Sequence, residues 1–204
     1  MKSDIILSGV GGQGILSIAA VVGMAALENN LHLKQAEVHG MSQRGGAVHS
    51  HLRISEKEIA SDLIPLGKAD LIISVEPMES LRYLPWLSKE GWLVTNTTPF
   101  VNIPDYPDMK DLLTEIEKLS HHIAINADEI ARNVKSPRSS NIVMLGAASP
   151  FLDIPYESLE NGIRKIFDRK GEKVVQINID ALKAGREFAI KHAPVDSRQL
   201  SKAE

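Results

Sequence analysis

Apolar and polar positions alternate along the chain in blocks that predict strands and helices in turn. Residues 4–8 form a short apolar run typical of a buried strand, and residues 15–28 form an apolar stretch of helical length. Residues 31–38 predict a second strand. Because a strand–helix–strand unit forms a right-handed crossover between parallel strands, we expect these two strands to be parallel.

A different pattern follows at residues 48–54, where Val48, Ser50, Leu52 and Ile54 alternate with His49, His51 and Arg53. Turn-forming residues 55–57 come next, followed by a short segment at 58–61. This pattern predicts an antiparallel hairpin made of 48–54 and 58–61, inserted into an otherwise parallel sheet.

The rest of the chain continues the alternation of strands and helices. We predict strands at 69–75, 91–95 and 122–126, and helices at 78–88, 108–119, 127–134, 140–148, 156–168 and 178–192. Residues 97–107 carry three prolines and predict a surface connection. The expected fold class is α/β: a three-layer α/β/α arrangement with a largely parallel, Rossmann-like sheet plus the antiparallel hairpin. We expect residues 1–192 to form a single domain and residues 193–204 a polar tail.

Composition limits the chemistry more than it limits the fold. The 204 residues include no cysteine, which excludes disulfides, thiolate nucleophiles and any iron–sulfur or zinc site that needs cysteine ligands. The net charge of -3 gives no general attraction to nucleic acid, and no apolar run reaches the ~18 residues that cross a bilayer. We therefore expect a cytoplasmic protein that binds neither nucleic acid nor membrane.

A glycine-rich turn separates the first strand from the first helix. Its residues are Gly9, Val10, Gly11, Gly12, Gln13 and Gly14. The turn satisfies the G-x-G-x-x-G pattern, in which glycines let the backbone approach a phosphate at a helix N-terminus. Glu37, near the end of the second strand, lies where an acidic ribose partner is expected. The turn predicts an anionic ligand, with NAD as one alternative and glycines that serve packing alone as another.

A second glycine-rich loop follows the second strand. Its candidate site residues are Ser42, Gln43, Arg44, Gly45 and Gly46. The glycines permit close approach of a ligand, and a guanidinium binds anions in a bidentate manner. If both strands end at the carboxyl edge of a parallel sheet, this loop and the first turn face one crevice. The alternative is that the glycines only permit a bend, with Arg44 solvated or paired with Glu37.

The remaining polar residues fit structural roles. His39, His49 and His51 have no acidic partner at metal-ligand spacing, and the last two fall on the polar face of a strand, so we predict no metal site. Glu76 precedes Pro77 at a helix start, and residues 139–141 open an apolar helix. Both patterns predict helix capping, with a place in the crevice as the alternative for Glu76 and contact with a ligand as the alternative for residues 139–141. The sequence holds no G-x-S-x-G, Walker A or H-E-x-x-H motif, so we assign no catalytic residue.

Three segments together resemble the gamma domain of 2-oxoacid:ferredoxin oxidoreductases. They are Gly11-Gly12-Gln13-Gly14, Gln43-Arg44-Gly45-Gly46 and Asn141-x-x-Met144-Leu145-Gly146. The resemblance extends over residues 2–192. It implies a subunit, inactive alone, of an oxidoreductase that converts a 2-oxoacid and coenzyme A to an acyl-CoA and CO2 while ferredoxin is reduced. Within the family, it implies an aryl 2-oxoacid such as indolepyruvate as the substrate.

The resemblance also implies where the cofactors and partners are. Thiamine diphosphate, Mg²⁺ and 4Fe-4S clusters are expected in a larger partner subunit, and no cofactor is expected in this chain. Coenzyme A is the cosubstrate, and ferredoxin meets the complex. Both glycine segments would face the partner and coenzyme A, with Arg44 contacting an anion or partner carboxylate and with Gln13 and Gln43 as polar positioning groups.

Other assemblies and functions stay open at this point. One is a homodimer of the isolated chain. A second is an independent NAD(P)-binding, Rossmann-like protein that uses Glu37, and a third is a purely structural interaction protein in which Arg44 supports assembly.

Overall fold

A computed structural model describes residues 1–40 and 45–193, and these residues form a six-stranded mixed sheet between two layers of helices. The strands are β1 (Lys2–Val10), β2 (His32–His39), β3 (Ala47–Ser55), β4 (Ala69–Ser74), β5 (Leu87–Asn96) and β6 (His122–Ile125). The helices are α1 (Ile15–Glu28), α2 (Pro77–Arg82), α3 (Met109–Glu117), α4 (Ala127–Asn133), α5 (Ser140–Ala148), α6 (Tyr156–Phe167) and α7 (Glu172–His192). The predicted three-layer α/β class is confirmed.

The strand order is β2-β3-β1-β4-β5-β6. The neighbours β1, β4, β5 and β6 are parallel, whereas β3 is antiparallel to both β1 and β2. The predicted hairpin is present, but its predicted partner is wrong, because β3 pairs with β2 and residues 58–61 form no strand. A ladder between two long consecutive strands forms more backbone hydrogen bonds than the short 58–61 segment could offer.

Successive residues of the central strands enter two different cores, which explains their uninterrupted apolar runs. Ile5 and Leu7 of β1 pack in the core on the side of α1 and α5. Ile6, between them, packs on the opposite face with Ile72 of β4 and Ile116 of α3. Side chains of a strand alternate between faces, so a strand covered on both sides is apolar throughout.

Helix α5 is buried along its length by α7. A Cβ on Gly146 would lie 2.0 Å from the carbonyl oxygen of Leu182, and one on Gly185 would lie 2.0 Å from that of Val143. The two helices are therefore in direct backbone contact. Helix α7 begins at Glu172, directly after its N-cap residue Gly171, which is earlier than the predicted start at residue 178. Among residues 1–40 and 45–193, none of the helices has both the length and the apolarity that crossing a bilayer requires.

The face of β3 that was predicted to be polar is covered by aromatic side chains. His49 Nδ1 lies 2.9 Å from the Tyr83 hydroxyl, and His51 Nδ1 accepts the N–H of Ile64 at 3.1 Å. The indole of Trp86 contacts both imidazole rings. Burial lowers the pKa of both histidines. The two histidines thus lie on one face of β3, as predicted, and segments distant in sequence fold over that face.

Replacing Gly146 or Gly185 by alanine is expected to lower the free energy of unfolding by about 2–3 kcal/mol, because the added methyl groups force α5 and α7 apart. Urea unfolding followed by circular dichroism measures this. Gly23→Ala in α1 is the matched control, since its Cβ meets only the flexible end of Leu33 at 3.2 Å and alanine favours helices. Equal stabilities of all three variants would contradict the close contact.

Stability is expected to fall as the pH drops from 7.5 to 5.5. The unfolded chain takes up protons near the ordinary histidine pKa of 6.5, whereas half-buried His49 and buried His51 resist protonation to lower pH. The free energy of unfolding therefore declines below pH 6.5, by at most about 1.4 kcal/mol per pH unit for each group. Urea titrations across this range measure the slope. His51→Asn, which keeps an acceptor for Ile64, should flatten it, and His32→Gln at an exposed site should not.

Candidate functional site

The carboxyl edge of the sheet brings together the two glycine segments singled out by the sequence. Strands β1, β2, β4, β5 and β6 run toward this edge, and β3 begins there. Ligands of open α/β sheets usually bind outside such an edge. The carboxyl edge is therefore the candidate site.

The turn at 9–14 and the segment Gly45–Gly46 are joined by backbone hydrogen bonds. Gly11 N–H donates to Gly46 O at 2.8 Å, and Gly45 N–H donates to Gly11 O at 3.2 Å. These bonds confirm that the two segments converge. Ser42, Gln43 and Arg44 lie outside the described residues, so their place in the site stays a prediction.

The glycines of the first turn have different roles. A Cβ on Gly9 would lie 2.3 Å from Val75 Cγ2, and one on Gly14 would lie 2.6 Å from Asn141 Nδ2, so both positions need the missing side chain for packing. Gly12 has a φ of +104° and no heavy atom within 4 Å of its would-be Cβ. The ends of the turn are thus packed, while its middle presents accessible backbone.

Gln13 uses its side-chain amide within the protein. Its Oε1 accepts the N–H of Val10 at 2.7 Å, and its Nε2 donates to Val75 O at 3.4 Å. The amide therefore joins the glycine turn to the end of β4. Gln13 positions the turn itself, and contact between Gln13 and a ligand stays a prediction.

Helix α5 begins beside the same turn. Asn141 Nδ2 donates to Gly14 O at 3.0 Å. Ser139 is the N-cap residue of α5 but makes no capping bond; its hydroxyl donates to Asn178 Oδ1 of α7 at 3.0 Å. The predicted capping role is therefore wrong for Ser139, because α7 offers it a buried partner.

Asn96 ends β5 with a buried side chain that joins three neighbouring segments. Its Nδ2 donates to Asp128 Oδ2 at 2.8 Å and to Val75 O at 3.4 Å. Its Oδ1 accepts the N–H groups of Ala127 at 3.1 Å and Thr98 at 3.3 Å. Every donor and acceptor position of the amide is thus used, which fixes the ends of β4 and β5 and the start of α4 together.

The segment 97–108, called the strap below, crosses the edge between β5 and α3 and is anchored on Glu76. Glu76 is fully buried and caps α2 by accepting the N–H of Glu79 at 2.8 Å, as predicted. Its second oxygen accepts the Phe100 N–H at 3.3 Å and the Tyr106 hydroxyl. One carboxyl group therefore caps helix α2 and also anchors the strap.

The middle of the strap contacts the second glycine segment. Asn102 Nδ2 donates to Gly45 O at 2.5 Å. Around it, Phe100, Val101 and Ile103 are 41%, 68% and 41% exposed. The strap thus presents an apolar tip next to the paired glycines.

Burial controls the titration of the groups under the strap. Burial and the adjacent Glu76 raise the pKa of Tyr106 far above its ordinary value, so its hydroxyl stays protonated and donates. Burial also raises the pKa of Glu79, while Arg82, whose Nε lies 3.0 Å from Glu79 Oε2, acts in the opposite direction.

Glu37 does not occupy the place that the dinucleotide alternative requires. Strand β3 lies between β1 and β2, so exposed Glu37 on β2 is two strand spacings, roughly 10 Å, from β1. In dinucleotide-binding sheets, the second strand lies directly beside the first. The topology therefore argues against a ribose contact by Glu37.

The edge is suited to binding and positioning a ligand. No side chain caps α1, and its first turn has no acidic residue, so its N–H groups and the accessible glycine backbone favour an anionic group. Within residues 1–40 and 45–193, no group of three or more His, Asp or Glu side chains could hold a metal ion.

Sequence reasoning missed the bracing contacts of Asn96, Asn102 and Tyr106. The available signal was indirect: Asn96 is a polar residue directly after the predicted strand 91–95, and the connection after it is rich in proline. Such a pattern does not identify the distant partners.

Several known proteins are similar to this chain in sequence and in fold. The family model for pyruvate ferredoxin/flavodoxin oxidoreductase matches residues 4–188. Indolepyruvate oxidoreductase subunit IorB of Archaeoglobus fulgidus is 35% identical over 203 residues, which is 95% of this chain and 98% of that protein. IorB of Methanothermobacter thermautotrophicus is 35% identical over 192 residues, with 91% and 96% covered.

A solved structure also matches. It is the 2-oxoglutarate:ferredoxin oxidoreductase of Magnetococcus marinus with 2-oxoglutarate, coenzyme A and succinyl-CoA bound, which superimposes with a TM-score of 0.75 at 22% identity. The match covers 96% of this chain but 32% of that longer chain. The likeness shows that the two share a fold.

Asn96→Asp is expected to lower the free energy of unfolding by about 3 kcal/mol, because it removes two donors and places a carboxylate beside Asp128. Chemical denaturation measures the loss. The double variant Asn96→Asp with Asp128→Asn restores one donor and one acceptor and should recover more than half of it. Failure of the second change to recover stability would contradict this pairing.

Proposed function

This chain belongs to the pyruvate ferredoxin/flavodoxin oxidoreductase family, and from that premise we propose that it is the small subunit of an indolepyruvate oxidoreductase. In the proposed reaction, an aryl 2-oxoacid loses CO2, its acyl group passes to the coenzyme A thiol, and two electrons pass to ferredoxin. The observation that carries the proposal is the 35% identity to IorB over 98% of that protein. The family match over residues 4–188 supports a single domain at 1–192.

The sequence does not fit the iron–sulfur clusters of the proposed reaction. Iron–sulfur clusters need thiolate ligands, and the sequence has no cysteine. Among the residues that the structure describes, no group of three or more His, Asp or Glu side chains is placed to hold a metal ion. We therefore assign thiamine diphosphate, Mg²⁺ and the 4Fe-4S clusters to a larger partner subunit. A cytoplasmic location is part of the same proposal.

We assign the carboxyl edge as the surface that faces the partner subunit and coenzyme A. The accessible backbone of Gly12 and the uncapped start of α1 support the binding of a phosphate-rich ligand. The exposed Val101 and Leu16, at 68% and 50%, give this edge apolar surface that a subunit interface would cover. Arg44, in the loop between β2 and β3, is the proposed anion contact.

In this proposal, the small subunit positions the cosubstrate and contributes no catalytic residue. The bonded glycine pair holds the Gly45 end of the Arg44 loop against the first turn. The partner supplies the reacting groups, and this chain supplies a rigid, polar edge that orients the cosubstrate.

The proposal predicts that this chain co-purifies with a large, brown subunit and that the complex reduces ferredoxin or a dye only with indolepyruvate and coenzyme A. Arg44→Ala should raise the KM for coenzyme A by about tenfold, the effect of a lost charged contact, with kcat changed less than twofold. Arg169→Ala, at an exposed site in the Asp168–Lys170 turn, is the matched control.

Three results would contradict the proposal. A chain that emerges alone and binds NAD(P)H would support the dinucleotide alternative. An Arg44→Ala variant that weakens assembly without changing the KM for coenzyme A would support a purely structural role. A complex active with another 2-oxoacid and inactive with indolepyruvate would overturn the substrate assignment.

A further inference from the structure

The strap is fixed at two points by one buried carboxyl group. The same oxygen of Glu76 accepts the Phe100 N–H and the Tyr106 hydroxyl, which lie toward opposite ends of the strap. The segment between these two contacts has no helix or strand of its own. Its position is therefore set by side-chain and backbone contacts to the end of β4.

The same segment reaches the paired glycines through one side chain. Asn102, between Phe100 and Tyr106, donates to Gly45 O at 2.5 Å, and Gly45 N–H donates to Gly11 O at 3.2 Å. A continuous series of contacts thus runs from buried Glu76 through the strap to the two glycine segments.

We propose that Tyr106 and Asn102 are positioning residues for the proposed coenzyme A site, with Glu76 as their buried anchor. In this arrangement, Glu76 holds Tyr106, the strap holds Asn102 over Gly45, and Gly45 is hydrogen-bonded to Gly11 of the first glycine turn. The assignment of the ligand rests on the proposed function, whereas the coupling between the strap and Gly45 does not.

A loop positions a ligand well only when its own conformational freedom is already restricted before the ligand binds. The strap holds Pro99, Pro104 and Pro107, which limit its backbone conformations before any contact forms. The Glu76 carboxyl group, at 0% exposure, depends on these partners, because a buried carboxyl group is costly to leave without hydrogen-bond donors. The Tyr106 hydroxyl remains a donor at working pH because burial and Glu76 raise its pKa.

The test compares Tyr106→Phe and Asn102→Ala in the reconstituted two-subunit complex. Both variants should raise the KM for coenzyme A by about fivefold, with kcat within twofold. Loosening the contact between the strap and Gly45 weakens cosubstrate binding but leaves the reacting groups unchanged. Asn102 is exposed, so its variant retains the folded core. Tyr156→Phe is the matched control, since Tyr156 is also partly buried but makes no hydrogen bond to a described strap residue.

Hydrogen exchange on the isolated full chain gives a second reading that needs no activity. In both variants, the amides of the peptide that contains Gly45 and Gly46 should exchange about tenfold faster, as expected when an ordinary hydrogen bond is lost, and those of α5 should not change. Tyr156→Phe should leave the Gly45 peptide unchanged.

The outcomes separate this inference from the proposed function. An inactive wild-type complex with fast Gly45 exchange in the variants would overturn the function and support the coupling. Unchanged exchange and unchanged KM in both strap variants would overturn the coupling. Equal losses of kcat and stability in Tyr106→Phe and Tyr156→Phe would also overturn it, because a general structural effect would then explain both.

Discussion

The antiparallel pairing of β3 with β1 determines where the candidate site can form. The register runs without interruption from Lys2 opposite Ser55 to Val10 opposite Ala47. Gly11 and Gly46 follow the last pair directly, and their hydrogen bond continues the ladder beyond the two strands. The two glycine segments therefore cannot separate unless the end of this ladder opens. A site made of loops thus takes its rigidity from the middle of the sheet.

Polar side chains form hydrogen bonds with the backbone at the ends of the parallel strands. Val75 O, just beyond β4, lies within reach of both Gln13 Nε2 and Asn96 Nδ2, at 3.4 Å each. Glu76, the next residue, binds the strap. Each of these side chains is polar and buried or half-buried, and each has partners from at least two elements. Hydrogen bonds within the protein therefore hold the edge in place, and the backbone of Gly12 remains exposed to solvent.

Local patterns predicted most of the elements, because strands covered on both faces and apolar helices have distinct lengths and periods. The bounds predicted for α1 and α5 agree with the structure. The pairing of β3 was mispredicted because its alternating pattern fits any neighbouring strand equally well. The covering of His49 and His51 was missed because Tyr83 and Trp86 lie more than thirty residues later in the chain.

The candidate site was predictable only in part, for the same reason. The spacing of the glycines identified the two segments that meet, because the conformational freedom of glycine is a local property of the sequence. The bracing contacts join residues far apart in the chain: Asn102 and Gly45 are separated by 57 positions, and Tyr106 and Glu76 by 30. No local period or motif records such a contact.

The backbone contact between α5 and α7 has a consequence for synthesis of the chain. Helix α5 is almost uncharged, and the helix that covers it ends at His192. At ~5–20 residues per second, a ribosome needs several seconds to make the roughly forty residues that separate the end of α5 from the end of α7. Because α5 precedes α7 along the chain, the apolar helix leaves the ribosome before the helix that covers it. The apolar surface of α5 is therefore uncovered until α7 packs against it, and a chaperone that binds α5 would act before that point.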